Sequence, residues 1–391
     1  MKKIVLKPKR EASVRRFHPW VFSGAVAQKD PEVVDGDLVE VLDHQGRYLA
    51  TGHYQAGSIL VRLFSFRQTN ADQAFWTQKI QQARDYRQAL QLPNPPHTNC
   101  FRLVHAEGDG LPGLVIDWYA GTAVVQCHSI GMYRQLPQLI QALLDTFGDD
   151  LRAIYNKSQR SLPNHYGQNT ADGYLFGQPD TFLAHENDLT FHIDWEGGQK
   201  TGFFLDQREN RRLLQRYASA KKVLNAFCYT GGFSLYALAA GARQVDSVDI
   251  SERAMEWTEK NVIANFPAAD HRGYTQDVLS YLKSADSDYD IIVVDPPAFA
   301  KSLKKRHQAV QGYKRLNAQA LRNIRPGGLL FTFSCSQVVD KTLFDNTLVA
   351  AAIEAGRQVK IVHQLSQGPD HPINLFHPEG NYLKGLVLHV R

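Results

Sequence analysis

Two side chains that can do chemistry follow two short apolar segments late in the chain. Asp295 ends the segment 290–295, and Cys335 comes directly after the segment 329–334. A cysteine is a nucleophile when its thiolate is populated, and a carboxylate can accept a proton or a hydrogen bond. Because both residues end predicted parallel strands, we expect them to emerge at the same edge of one sheet.

A glycine-containing turn follows an earlier apolar segment, 223–226. Gly231 and Gly232 lack a Cβ, so a ligand can approach their backbone closely. Asp249 ends the next apolar segment, where a carboxylate can accept hydrogen bonds from ribose hydroxyls. Asp277 lies where the chain ends its third pass through the predicted sheet, and its side chain is a second polar group that would face an adenine-sized ligand. The GxGxxG fingerprint is missing, which disfavours a nicotinamide cofactor without excluding it, and the missing P-loop pattern argues against nucleotide hydrolysis.

Strands separated by helix-length segments position these residues. From about residue 190, the apolar segments 223–226, 244–249, 290–295 and 329–334 alternate with such stretches. This alternation is typical of a parallel sheet with helices on both faces. We therefore predict an α/β, Rossmann-like domain over residues 189–391.

The first 188 residues have a different pattern. Residues 1–70 contain short alternating segments split by turns, which predict a small β-barrel. Residues 71–188 predict a small α+β domain, which begins with a helix over 72–91 that contains no glycine or proline.

Composition limits the class of protein. The chain has 391 residues, of which 43% are hydrophobic and 21% charged, as in ordinary globular proteins. No apolar run approaches the roughly 18–20 residues of a membrane span, and the basic N-terminus lacks the apolar stretch of a secretory signal. The four cysteines are far apart, and no Cys/His cluster has zinc-ligand spacing. We expect a cytoplasmic protein without a metal or a membrane partner.

Positive charge is concentrated in two zones, although the net charge is only +5. Residues 1–29 carry eight Lys/Arg and one acidic residue, and the stretch between Asp295 and Asp340 carries eight Lys/Arg and no acidic residue. Two such zones favour a polyanionic partner, since neutralised phosphates supply much of the affinity for nucleic acids. The candidate RNA contacts are Lys7, Arg15, Arg16, Lys301, Lys304, Lys305 and Arg306, with Arg208 as a further cation.

Six stretches carry a family resemblance: 198–208, 225–233, 248–251, 295–299, 333–336 and 377–385. Together they resemble class I S-adenosylmethionine methyltransferases and, more narrowly, the bacterial large-subunit rRNA cytosine-5 methyltransferases that carry an N-terminal PUA domain. The resemblance implies a PUA barrel at 1–70, a central α+β domain at 71–188 and a Rossmann-like class I methyltransferase domain at 189–391. It also implies S-adenosylmethionine as the cofactor and 23S rRNA as the substrate.

The cofactor contacts are expected from the ends of the predicted strands and from the stretch 198–208. The candidates are Phe203, Asp206, Arg208, Asn225, Phe227, Tyr229, Thr230, Gly231, Asp249, Ile250, Ser251, Asp277, Val278, Asp295 and Pro296.

The resemblance implies that the Asp295 loop belongs to the active site. Attack of a Cys335 thiolate on cytosine C6 would turn C5 into an enamine-like carbon able to take a methyl group. The C5 proton must then leave, and the candidate bases are Asp295 and Glu379. A base within a duplex would first have to be extruded.

Other interpretations stay open at this point. The Asp295-Pro-Pro loop is also typical of enzymes that methylate exocyclic amines, for which Cys335 would be dispensable. A catalytically inactive RNA-binding assembly factor would need only the barrel and the basic zones, and a dehydrogenase is a weaker third alternative. The oligomeric state stays open, with a homodimer among the alternatives.

Overall fold

The computed structural model describes residues 1–285, 288–300 and 302–391, which divide into two units. The first unit contains Met1–Asp188, Ile193–Leu205 and Pro369–Gly380. The second contains Leu189–His192, Asp206–Gly368 and Asn381–Arg391. The chain therefore passes from one unit to the other several times, and the late segment Pro369–Gly380 belongs with the N-terminal residues.

A six-stranded mixed sheet begins the first unit. Its strands are β1 (Lys2–Leu6), β2 (Trp20–Phe22), β3 (Val26–Lys29), β4 (Leu38–Leu42), β5 (Tyr48–Tyr54) and β6 (Ile59–Ser65), and helix α1 (Ala12–Arg15) lies between β1 and β2. The strand order is β2-β6-β5-β4-β1-β3. Alternate residues of the central strands, such as Val39 and Val41, are buried, as expected where one face of a sheet covers a core.

A five-stranded sheet with helices forms the rest of the first unit. Its strands, in the order β11-β10-β9-β8-β7, are β7 (Cys100–His105), β8 (Leu114–Tyr119), β9 (Thr122–Cys127), β10 (Ala153–Asn156) and β11 (Gly173–Gly177). The helices are α2 (Gln73–Ala89), α3 (Ile130–Arg134), α4 (Leu136–Phe147) and α5 (Asn164–Gly167), and strand β12 (Leu183–Glu186) follows. The predicted helix over 72–91 is confirmed: Asp72 caps α2 by accepting a hydrogen bond from the Phe75 amide.

The second unit is built on a seven-stranded sheet of order β16-β15-β14-β17-β18-β20-β19. After β13 (Leu189–His192), its strands are β14 (Lys222–Ala226), β15 (Gln244–Asp249), β16 (His271–Thr275), β17 (Tyr289–Val294), β18 (Ile324–Ser334), β19 (Val359–Leu365) and β20 (Lys384–Val390). Its helices are α6 (Arg208–Gln215), α7 (Gly232–Ala239), α8 (Glu252–Asn265), α9 (Val278–Ser284), α10 (Arg306–Asn323) and α11 (Lys341–Ala355). The predicted α/β class is confirmed.

The strand order of this sheet fixes where a ligand can bind. Strands β14 to β18 run parallel to one another, whereas β20 runs antiparallel to both β18 and β19. All six residues of β17 are buried, as is typical of a central parallel strand covered on both faces. The chain builds outward from β14 in one direction and from β17 in the other, so the topological switch point lies between these two strands.

A helix can cross a membrane only if it is long enough and sufficiently apolar. Among the described residues, no helix is both long and apolar enough to span a bilayer.

Candidate active site

The turn after β14 has an unusual backbone. Phe227, Tyr229 and Gly231 all have left-handed conformations, with φ of 62°, 50° and 80°. A Cβ at Gly231 would lie 2.9 Å from Thr258 Cγ2, so only glycine fits there without displacing α8. Non-glycine residues held in this region cost roughly 1–3 kcal/mol each, and such strain clusters at functional sites. Asn225, near the end of β14, and Thr230, in the turn itself, are two more of the predicted cofactor contacts.

Asp249 lies beside this turn, at the carboxyl end of β15. Its Oδ2 accepts a hydrogen bond from the Tyr229 amide and its Oδ1 one from the Ser251 amide, both at 3.0 Å. Each carboxylate oxygen has a further lone pair for a ribose hydroxyl. The next residue, Ile250, is 71% exposed although it is a large aliphatic side chain. A carboxylate beside an exposed apolar side chain suits a nucleoside.

Two other predicted cofactor contacts begin helices at this edge of the sheet. Ser251 Oγ accepts from the Ala254 amide and caps α8, and Asp277 Oδ1 accepts from the Ser280 amide at 2.9 Å and caps α9, just before Val278. Each therefore has a structural role that is independent of any ligand.

The segment that leads into α6 contributes three buried polar residues. Asp206, Gln207 and Arg208 are each at most 6% exposed. The Gln207 amide donates to Asp295 Oδ2 at 2.9 Å, and the Tyr382 hydroxyl donates to Asp206 Oδ2 at 2.6 Å. Asp295, which precedes Pro296, is thereby held from the α6 side. Phe203, another predicted contact, is buried in the first unit.

Asp295 and Cys335 leave the same edge of the sheet. Strands β17 and β18 are parallel neighbours in which Val294 pairs with Thr332, so Asp295 follows one strand end and Cys335 follows the other. The buried side chain of Tyr313 on α10 interacts electrostatically with both residues. Burial raises the pKa of Tyr313 to about 12, and negative charge on Cys335 and Asp295 adds to the increase.

The four cysteines differ in their exposure. Cys335 is partly exposed, whereas Cys100, Cys127 and Cys228 are buried. Burial raises the pKa of Cys127 to about 12 and also raises that of Cys228 strongly, which disfavours the reactive thiolate at both positions. Cys335 is therefore the cysteine best suited to nucleophilic chemistry.

Lys384 is a neighbour of Cys335 that the sequence analysis did not single out. It pairs with Ser334 across the antiparallel β18–β20 ladder, and its ammonium donates to the Ser336 carbonyl oxygen at 2.8 Å. Lys384 as a whole is only 9% exposed. Burial lowers the pKa of Lys384, and negative charge on Cys335 and Asp340 opposes that shift. A cation at this position favours the thiolate form of a neighbouring cysteine.

Three predicted RNA contacts form an exposed group that we call the basic turn: Lys304, Lys305 and Arg306. The basic turn immediately precedes or begins α10. Cations near a helix N-terminus oppose the helix dipole, so the basic turn does not stabilise α10. Lys301, the fourth candidate of this zone, lies outside the described residues.

The remaining predicted cations have mixed environments. In the first unit, Lys7 donates to the Gly24 carbonyl at 3.0 Å, Arg15 forms an ion pair with the buried Asp43 at 2.8 Å, and Arg16 is exposed. In the second unit, Arg208 is buried and lies 3.6 Å from Glu209. Arg15 and Arg208 are thus already engaged with acidic side chains.

Glu379, the second candidate base, lies in the first unit within a short 3₁₀ turn, Pro378–Gly380. Its carboxylate oxygens lie 3.5 Å from His18 Nε2 and 3.7 Å from His377 Nε2.

Comparison with known protein families decides what this arrangement belongs to. Residues 101–385 match the family model of S-adenosylmethionine-dependent methyltransferases, and residues 4–66 match a PUA-like domain. The chain belongs to the S-adenosylmethionine-dependent methyltransferases. The expected cofactor, S-adenosylmethionine, and the PUA-like N-terminal domain are thereby confirmed.

Two curated relatives of this methyltransferase match along their whole length. The protein named Ribosomal RNA large subunit methyltransferase I from Cronobacter sakazakii is 38% identical, with 99% of both chains covered. The protein of that name from Shewanella amazonensis is 40% identical, again with 99% of both chains covered. The resemblance to PUA-containing large-subunit rRNA methyltransferases is confirmed at the level of the family.

Solved structures agree on the fold of this methyltransferase. A Streptococcus mutans protein to which S-adenosylmethionine-dependent methyltransferase activity is attributed has a TM-score of 0.84, with 23% identity and complete coverage of both chains. SMU.776, to which methyltransferase activity is also attributed, was solved in complex with SAH and has a TM-score of 0.86, with the same identity and coverage.

Proposed function

We propose that this protein methylates large-subunit ribosomal RNA in the cytoplasm, and that the product is 5-methylcytosine in 23S rRNA. The substrate class rests on the names of the full-length relatives. The choice of the C5 atom rests on one observation: a partly exposed cysteine, Cys335, beside the buried ammonium of Lys384 at the edge of the sheet where Asp295 also emerges. The proposal assigns RNA binding to the barrel at 1–70 and to the basic turn, and catalysis to 189–391, with 71–188 as the central domain.

The residues fit the cofactor. Asp249 would accept the ribose hydroxyls, Ile250 would cover the adenine, and the left-handed turn around Gly231 would let backbone amides approach the amino-acid end. When bound, S-adenosylmethionine supplies an electrophilic methyl group. The protein has to hold a cytosine with C5 facing that methyl group and with C6 within reach of Cys335.

Cys335 and one base share the chemistry. The thiolate would add to cytosine C6, and the electron pair that this addition places on C5 would form the new bond to the methyl carbon as the bond from that carbon to the sulfonium sulfur breaks and S-adenosylhomocysteine leaves. A base then removes the C5 proton, and elimination restores the C5–C6 double bond and releases the thiolate. The candidate bases are Asp295, held by Gln207, and Glu379.

Methyl transfer to 23S rRNA that lacks its own modification tests the proposal. Tritium from labelled S-adenosylmethionine is expected in 5-methylcytidine with the wild type and with Cys127→Ala, a buried-cysteine control, and is expected to vanish with Cys335→Ala. Calorimetric binding of S-adenosylmethionine to Cys335→Ala shows that the loss is not one of folding. RNA that contains 5-fluorocytosine should form a stable adduct with the wild type and with Cys127→Ala, and none with Cys335→Ala.

Two outcomes contradict the mechanism in different ways. Label in an exocyclic amine with an active Cys335→Ala variant would assign the Asp295 loop to amine methylation. No label on any RNA, despite binding of the cofactor and RNA, would favour the inactive assembly factor.

Accumulation of adduct on ordinary RNA by either Asp295→Asn or Glu379→Gln would identify the base, because that variant forms the C6 bond but cannot lose the C5 proton.

A further inference from the structure

Two histidines and a glutamate from distant parts of the sequence meet in the first unit. Potential ligand atoms of His18, His377 and Glu379 all lie within 4.8 Å of one another. His18 lies between α1 and β2, and the other two residues belong to the late segment Pro369–Gly380. The two oxygens of Glu379 face one histidine each, at 3.5 and 3.7 Å.

His377 is the most telling member of the cluster. It is 4% exposed, and neither of its ring nitrogens has a hydrogen-bond partner among the described residues. Burial lowers the pKa of His377, and negative charge on Glu107 and Glu379 opposes that shift. A buried polar group without a partner costs roughly 1–3 kcal/mol. The ring packs edge-on against Trp20, with ring centroids 4.4 Å apart, which restricts its orientation.

His18 is held in an orientation suited to metal ligation. Its Nδ1 lies 3.3 Å from the Trp20 carbonyl oxygen, to which Nδ1–H donates in one tautomer, and 3.2 Å from the Trp20 amide, whose N–H donates to Nδ1 in the other. When Nδ1–H donates to that carbonyl, the lone pair of Nε2 points into the cluster, and zinc-binding histidines are commonly fixed by such a hydrogen bond. The Trp20 indole N–H in turn donates to Glu107 at 2.8 Å, which adds a second carboxylate close to the cluster.

We propose that His18, His377 and Glu379 bind one divalent cation of the Zn²⁺ type. Two imidazoles and a carboxylate are donors that Zn²⁺ accepts, whereas Mg²⁺ and Ca²⁺ prefer oxygen ligands throughout. Zinc–ligand bonds of about 2.0–2.2 Å require the three side chains to close by roughly 1 Å, with a fourth position open to water. The ion would tie Pro369–Gly380 to the chain around β2 within the first unit.

Zinc titration of the full-length protein tests the site. The protein is produced without a histidine tag and stripped with EDTA, and Zn²⁺ is added against a competing chelator, with stoichiometry read by calorimetry and elemental analysis. One ion per chain is expected. His377→Phe should weaken zinc binding by more than about 100-fold, since losing even an outer-shell partner costs about 10–100-fold. The control is His165→Gln, an exposed histidine 3.7 Å from Asp35, which should bind zinc like the wild type.

A second readout separates a metal ligand from a packing residue. Without zinc, His377→Phe should melt at or above the wild-type temperature, because phenylalanine keeps the contact with Trp20 and removes two unpaired nitrogens. With zinc, only the wild type and His165→Gln should gain melting temperature. Equal zinc affinity in the wild type and His377→Phe, or no binding above the chelator, would overturn the proposal. No RNA or cofactor is present, so the test is separate from that of methyl transfer, although zinc bound by Glu379 would leave Asp295 as the candidate base.

Discussion

Replacement of Lys384 by methionine should slow methyl transfer most at low pH. The ammonium of Lys384 is buried beside Cys335 and donates to the Ser336 carbonyl. An opposite charge within about 4–6 Å moves a pKa by about 1–3 units, and each unit is worth about 1.4 kcal/mol. We use the lower end of this range because Cys335 is partly exposed to solvent.

The sign follows from which form reacts. The thiolate is the nucleophile, so losing the cation disfavours the reactive form and moves the acid limb of the rate profile to higher pH. A shift of about one unit lowers the rate near neutral pH by about tenfold. Above the limb, the Lys384→Met and wild-type rates should converge, because the thiolate is then fully populated in both.

Single-turnover transfer to RNA, measured from about pH 6 to 10, distinguishes charge from structure. Lys384→Arg is the matched control, since it keeps the charge and should keep the wild-type limb. The lost hydrogen bond to Ser336 predicts a stability loss of about 1 kcal/mol in denaturant unfolding. A Lys384→Met variant that is slow by the same factor at every pH would show that the cation does not act on the thiolate, because a purely structural defect is not rescued by base.

Three further predictions concern separate parts of the chain. Gly231→Ala should lose about 3 kcal/mol of stability in urea unfolding and weaken cofactor binding in calorimetry, because a left-handed alanine is strained and its Cβ meets Thr258. The control is Gly46→Ala, where φ is 78° but the space around a Cβ is open, and it should lose only about 1 kcal/mol. Neutralising all three residues of the basic turn should lower the slope of log RNA affinity against log salt by about 2 in filter binding while leaving cofactor affinity unchanged, and an unaltered slope would exclude phosphate contacts there. Arg87→Met should cost about 3–5 kcal/mol in denaturant unfolding because it leaves the buried carboxylate of Asp109 without its bidentate partner, and adding Asp109→Leu should restore part of the loss.

Local pattern was enough to predict four strands of the second unit, β14, β15, β17 and β18, and the residues at their ends. Asp249, Asp295 and Cys335 each follow an apolar run, and parallel strands bring such ends to one edge whatever the lengths of the connections. Helix α2 was equally readable, because a stretch without glycine or proline is a local feature; the cap at Asp72 is a finding of the structure.

Contacts between distant segments were not readable in this way. The histidine–glutamate cluster joins residue 18 to residues 377 and 379, so it lacks the short ligand spacing by which zinc motifs are recognised, and for this reason no metal was expected from the sequence. The cluster depends on Pro369–Gly380 leaving the second unit to join the first, which no periodicity indicates.

The contact between Lys384 and Cys335 in the active site was likewise not predictable from local sequence, although the structure defines it well. The lysine reaches Cys335 only because β20 returns antiparallel beside β18 in a register that pairs Ser334 with Lys384. A slip of one residue would turn the ammonium to the opposite face of the sheet. The next residue, Gly385, fixes the close approach of the two strands, since a Cβ there would lie 2.5 Å from Phe333 Cδ1. The glycine that permits this packing and the lysine that supplies the charge are therefore adjacent, and the geometry at Cys335 depends on both.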